Sequence, residues 1–229
     1  MLGGDELNIW KIIRRCAGVI VLFGLYMIAE MIAMIPTVAT NGKASTMLVA
    51  VVFAVVFGSL IYFLATTYQY YLKRDPEGFG PHAPTREIWQ FMGKMVLALV
   101  VIQVLNGIAI SLHWTAESQN QDALMQLLQQ APLTMVLIAV VGAPPVEELL
   151  FRGLLMHSFG SLKDKRRLWA VSIISSVVFG LMHAGPSEPY NMLSYIAMGA
   201  VFTATYAKTK DIRYSMALHF LNNFVALMV

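Results

Sequence analysis

Seven apolar runs, parted by short polar loops, dominate this chain and narrow what it can fold into. They are Cys16 to Ile35, Met47 to Leu72, Ile88 to His113, Leu133 to Phe159, Leu168 to Ala184, Tyr190 to Ala207 and Tyr214 to Val229. Helices of roughly 17–25 apolar residues cross the hydrocarbon core of a bilayer, and a helix satisfies its own backbone there. Only 13% of the residues are charged, against about 25% in soluble domains. The expected class is all-α: one polytopic transmembrane bundle over residues 1–229, with no separate soluble domain.

The basic residues order these runs. Three precede the first run, three follow the second, four follow the fourth and three follow the sixth, while the opposite side holds only Lys43. Cytoplasmic loops collect Lys and Arg. The pattern therefore predicts seven spans, a cytoplasmic amino terminus and an outer carboxy terminus. The first run could be a signal peptide ending at Thr37-Val38-Ala39. A signal core is typically about 7–15 residues, so this longer run reads as an uncleaved span. Asp75, Pro76 and Glu77 with Gly78 mark a turn after the second run. The Gln- and Asn-rich stretch Thr115 to Gln130 places Leu124, Leu127 and Leu128 at helical spacing, which suggests a short interfacial helix. The net charge of +3 fits membrane topology rather than nucleic-acid binding. The single cysteine, Cys16, allows no intrachain disulfide and no Cys-based structural metal site.

Against this background the stretch Pro144 to Arg152 is anomalous. Glu147, Glu148 and Arg152 are ionisable residues inside an apolar run, each costing roughly 2.5–3.5 kcal/mol on insertion scales. The prolines predict a helix break, with a new segment starting near Pro145 and both glutamates in its first turn, where the helix dipole favours negative charge. Glu148 and Arg152, four residues apart, share a helix face and should pair. Glu147 points elsewhere and lacks a built-in counter-ion, which suits a general acid or base.

Two later runs carry matching oddities. Phe179 and His183 share one helix face, and so do His219 and Asn223. If the three faces converge they form one buried polar cavity. A residue count from the loops leaves Glu147 and His183 deeper than His219, so convergence requires tilt or a shifted boundary. The bland readings are helix–helix hydrogen bonding for each His and for Asn223, and a structural ion pair for Glu148 with Arg152. Glu30 in the first run has no motif around it and reads as structural or pore-facing. His113 and His157 sit at span ends, where interfaces tolerate polar tips.

Glu-Glu-x-x-x-Arg, Phe-x-x-x-His and His-x-x-x-Asn, in that order on successive apolar helices, resemble the CAAX prenyl protease and bacteriocin-processing (Abi) family, the type II CAAX intramembrane glutamic endopeptidases. The motif-bearing part covers about residues 143–229. The resemblance implies that Glu147, helped by His183, activates water and that His219 and Asn223 stabilise the oxyanion. Glu148 and Arg152 would hold the helix, and Phe179 would aim His183. It also implies catalysis without a metal or other cofactor. The expected partners are membrane lipids and a membrane-associated peptide or protein tail: a bacteriocin, leader or signalling peptide, or a prenylated protein. The short chain with minimal loops suggests a bacterial cell membrane.

Rival readings remain. Glu147, His183 and His219 could be zinc ligands, although no His-Glu-x-x-His occurs. A cysteine protease through Cys16 would need its distant helix end to meet the motifs. A transporter or a non-catalytic immunity protein would also house buried charge.

Overall fold

The computed structural model describes residues 9–74 and 78–228. The turn expected at Asp75 to Glu77 and the terminal Val229 lie outside the described residues. All regular structure among the described residues is helical. The helices are α1 (Ile9–Ala39), α2 (Thr46–Arg74), α3 (Arg86–Ser111), α4 (Gln119–Gln130), α5 (Pro132–Ser158), α6 (Lys165–His183), α7 (Pro189–Thr209) and α8 (Ile212–Ala226).

Four of them, α1, α2, α3 and α5, are long and apolar enough to cross a membrane. The chain is therefore an integral membrane protein. In α5, 72% of the apolar window is buried, against 17%, 22% and 11% in α1, α2 and α3. So α5 is the central helix, and the others turn residues such as Ile20, Met31, Val55 and Leu97 outward.

Local chemistry sets the helix ends. Thr85, Ser118, Asp164 and Asp211 each accept a main-chain N–H from the first turn of α3, α4, α6 and α8, satisfying donors the helix itself leaves free. Lys210 ends α7 in the left-handed region, with φ 56°. A helix, α4, forms where the sequence suggests a short one.

The prolines do not break α5. Residues Leu137–Gly142 wind as a π-helix immediately before them. The Ala143 N–H bonds five residues back, to Ile138 O. This wider turn makes room for the proline rings and absorbs the missing N–H groups. A second π stretch, Leu149–Leu155, follows the glutamates. Glu147 and Glu148 thus sit in mid-helix rather than in a first turn. The dipole at a helix start, expected to favour their charge, is not there to do so.

Close approach fixes the neighbours of α5. A β-carbon at Gly142 would lie 2.5 Å from the Phe57 ring of α2. Where α6 crosses α7, a β-carbon at Gly180 would overlap Ile196 and sit 2.9 Å from its main-chain nitrogen. Helices packed without a strong hydrophobic drive rely on such small residues. One apolar cluster gathers Leu64, Val146, Leu150 and Leu154. A second gathers Phe151, Phe179, Phe202 and Leu218.

Candidate active site

The three motif helices do converge. His183 is the last residue of α6, roughly 27 Å from its start, while His219 lies roughly 10 Å into α8 at 1.5 Å per residue. The two helices therefore do not begin at one level. The turn before α8 is tucked under the α2–α3 loop: Gly80 N–H donates to Lys210 O at 2.8 Å, and His82 N–H to Asp211 Oδ2 at 2.9 Å. Equal starting depth was the assumption that put the residues apart.

Glu147 stands at the centre and is 7% exposed. Its Oε1 accepts from the Tyr26 hydroxyl at 3.0 Å. Its Oε2 has no hydrogen-bond partner. That oxygen lies 3.5 Å from His183 Nε2 and 3.8 Å from His219 Nε2.

The other ring nitrogens fix the tautomers. His183 Nδ1 is 2.8 Å from the Phe179 carbonyl, which can only accept. His219 Nδ1 is 3.0 Å from Glu148 Oε1, the same oxygen that accepts from Arg152 Nη1 at 2.9 Å. Both Nδ1 atoms therefore carry the proton. A neutral ring then presents its Nε2 lone pair toward Glu147. When both rings are neutral, three proton acceptors face one another across a small gap.

The surrounding residues hold this arrangement. The His183 ring is stacked by Phe179 at 4.2 Å and faces Tyr195 at 5.0 Å. His219 stacks on Phe202 at 4.6 Å. Arg152 is fully buried. It donates to Glu148, to Thr203 Oγ1 at 3.2 Å and to Gly199 O at 3.0 Å, with the Phe179 ring 4.8 Å from its guanidinium. The expected Glu148–Arg152 pair is thus present, and through Glu148 it also fixes His219.

Asn223 is brought to the same place, but its side-chain N–H donates to Ala139 O at 2.9 Å. In the π register Ala139 O would look to the nitrogen of Pro144, which has no hydrogen. Asn223 supplies the missing donor and keeps one N–H in hand.

A cavity of about 520 Å³ adjoins these groups, lined by Tyr26, Glu30, Glu147, His183, His219 and Asn223 among others. Residues of α4 line it from above, including Asn120 and Leu124. Glu30 is thus cavity-facing. Tyr26 and Tyr195 were not singled out from the sequence. A tyrosine one helical turn before Glu30 was the available signal for the first, and nothing marked the second. His157 departs from the interfacial expectation: it is buried and shares a hydrogen bond of 2.8 Å with the Tyr206 hydroxyl, which also meets Tyr68. His113 lies exposed just after α3. Among the described residues no group of three or more His, Cys, Asp or Glu side chains is arranged to hold a metal ion.

Fold and site together define a helical integral membrane protein with a Glu–His–His cluster beside a cavity. Residues 129–225 match the family described as Type II CAAX prenyl endopeptidase Rce1-like. The chain is 37% identical over 113 residues to the protein named "Putative membrane peptidase YdiL" of Bacillus subtilis, covering 49% of this chain and 43% of that one. It is 29% identical over 133 residues to UPF0177 protein YvdC of Lactococcus lactis, covering 57% and 49%. It is 25% identical over 134 residues to the membrane-embedded CAAX protease MroQ of Staphylococcus aureus, covering 57% and 49%. The chain thus spans about half the length of the curated relatives it matches. No solved structure matches it significantly.

Proposed function

We propose that this protein is an intramembrane glutamic endopeptidase of a bacterial cell membrane. Its substrate is a membrane-associated peptide or protein tail. The observation that carries the reading is the unpartnered Glu147 Oε2, facing two imidazole Nε2 atoms beside a cavity of about 520 Å³. A water molecule has two hydrogens to donate and needs acceptors for both. Glu147 Oε2 and His183 Nε2 are acceptors 3.5 Å apart. Glu147 takes the proton as water attacks the scissile carbonyl, and gives it to the departing amine as the C–N bond breaks.

The negative oxygen that develops needs donors. Asn223 has its second side-chain N–H. His219, its Nδ1 held by Glu148, is a second donor whenever Nε2 carries a proton. Glu148 and Arg152 act through His219, and Phe179 through His183. The reaction as written requires no metal. The basic-loop pattern supports seven spans with the amino terminus in the cytoplasm.

Peptidomics of cells carrying the wild type against Glu147→Gln tests the proposal and names the substrate: peptides that depend on Glu147 should vanish in the variant. Cleavage that survives Glu147→Gln would sink the base assignment. Glu147, His183 and His219 are residue types that can bind zinc, so activity should be assayed with chelator and the protein assayed for metal. Chelator-sensitive activity with bound zinc would favour zinc-dependent hydrolysis. If the protein only bound or transported a peptide, Glu147→Gln would leave that binding, transport or immunity in place with no product formed by the wild type.

A further inference from the structure

Glu30 is a carboxylate within the membrane-crossing helix α1, and the reaction above does not use it. It lines the same cavity as Glu147. Tyr26, one turn away, faces both carboxylates and donates to Glu147 Oε1 at 3.0 Å. The opposite charge is missing: among the described residues lining the cavity there is no Lys or Arg. The chain itself has neither between residues 95 and 151. Exposed Glu117 lines the cavity on the α4 side. Glu147 lines the cavity too, its side chain 9% exposed and its buried Oε2 without a hydrogen-bond partner. An intramembrane carboxylate is costly without a partner, and an apolar-walled cleft of one sign concentrates ligands of the other.

We propose that the cavity receives a peptide segment carrying a basic side chain, with Glu30 pairing its ammonium or guanidinium. This rests on the peptidase reading for the nature of the ligand. The apolar lining, including Met34, Leu124 and Met198, takes the neighbouring residues. The substrate class is a cationic, otherwise apolar peptide.

The test uses two model peptides that differ at one position, lysine against norleucine, on the purified full chain. Binding is measured in the Glu147→Gln background, so that hydrolysis does not interfere. The lysine peptide should bind at least about tenfold tighter, the worth of one hydrogen bond to a charged group. Glu30→Gln should remove that preference while the norleucine peptide still binds, which shows the protein folded. Glu30→Asp should keep part of it. Equal binding of both peptides, or a preference that survives Glu30→Gln, overturns the proposal. Cleavage of the same peptides by the wild type is read in parallel. Lysine-selective binding with no cleavage would sink the peptidase reading and leave Glu30 as the cation-pairing group.

Discussion

Asn223 donates its side-chain amide to the main-chain oxygen of Ala139 over 2.9 Å, joining α8 to the π turn that precedes the prolines of α5. The asparagine therefore holds the central helix open at the point where it turns toward Glu147. Asn223→Ala should cost about 1–3 kcal/mol, the penalty for a buried carbonyl left without a donor. Thermal unfolding in detergent reads this directly. Asn223→Gln should recover little stability, because its longer chain overshoots a 2.9 Å contact. If Asn223→Ala abolishes cleavage at unchanged stability, its weight lies wholly on the reacting oxygen.

Much of this was legible in the residues. Buried charge in an apolar chain admits few explanations, and the spacing of four between Glu148 and Arg152 predicts the ion pair that forms. The shared faces of Phe179 with His183 and of His219 with Asn223 also hold. The course of α5 was not legible. Two prolines ordinarily stop a helix, and the rescue comes from a carbonyl acceptor on one helix meeting Asn223 on another. The level of α8 was hidden for the same kind of reason, since it depends on the α2–α3 loop docking against Lys210 and Asp211. Tyr26 belongs to a helix more than a hundred residues before Glu147, and no local pattern links them.

Tyr26 orients the carboxylate. With Oε1 held by the tyrosine hydroxyl, Oε2 is the oxygen left to take a proton. Tyr26→Phe removes that bond at almost constant shape. A hydrogen bond to a charged group is worth about 1.5–3 kcal/mol, so kcat should fall roughly 10- to 100-fold. An unchanged kcat in Tyr26→Phe would make Tyr26 a packing residue only.

Arg152 is buried with Glu148 and surrounded by aromatic rings. Arg152→Met strands a buried carboxylate and should cost about 3–5 kcal/mol, read as loss of folded protein in detergent. Glu148→Gln combined with Arg152→Met should be less damaging than Arg152→Met alone, since no unpaired charge remains. It should still lose cleavage, because His219 then has no charged partner at Nδ1.

The close helix contacts rank two glycine substitutions. At Gly142 the new methyl meets the Phe57 side chain, which a second change can clear. Gly142→Ala should therefore lower stability by about 1–3 kcal/mol and be partly rescued by Phe57→Leu. At Gly180 the obstacle includes the Ile196 main chain, which cannot be trimmed. Gly180→Ala should be the more destabilising, with no rescue from Ile196→Ala. Equal effects, or rescue at Gly180, would mean that α6 and α7 separate easily.

Asp211 gives a pH-dependent stability outside the spans. Burial disfavours its charge, but the Arg213 guanidinium and the main-chain N–H groups of His82 and Arg213 outweigh it and hold the carboxyl below its ordinary range. A carboxyl whose folded value is depressed stabilises the fold above its unfolded value, and that contribution fades as pH falls through the folded value. Asp211→Asn should therefore lower the unfolding temperature near neutral pH, where the charged cap is fully formed. The gap between variant and wild type should narrow steadily on acidification and close once the wild-type carboxyl is protonated. Unfolding temperatures taken across the acid range check this, and a gap that stayed constant with pH would mean that Asp211 caps α8 through its shape rather than its charge.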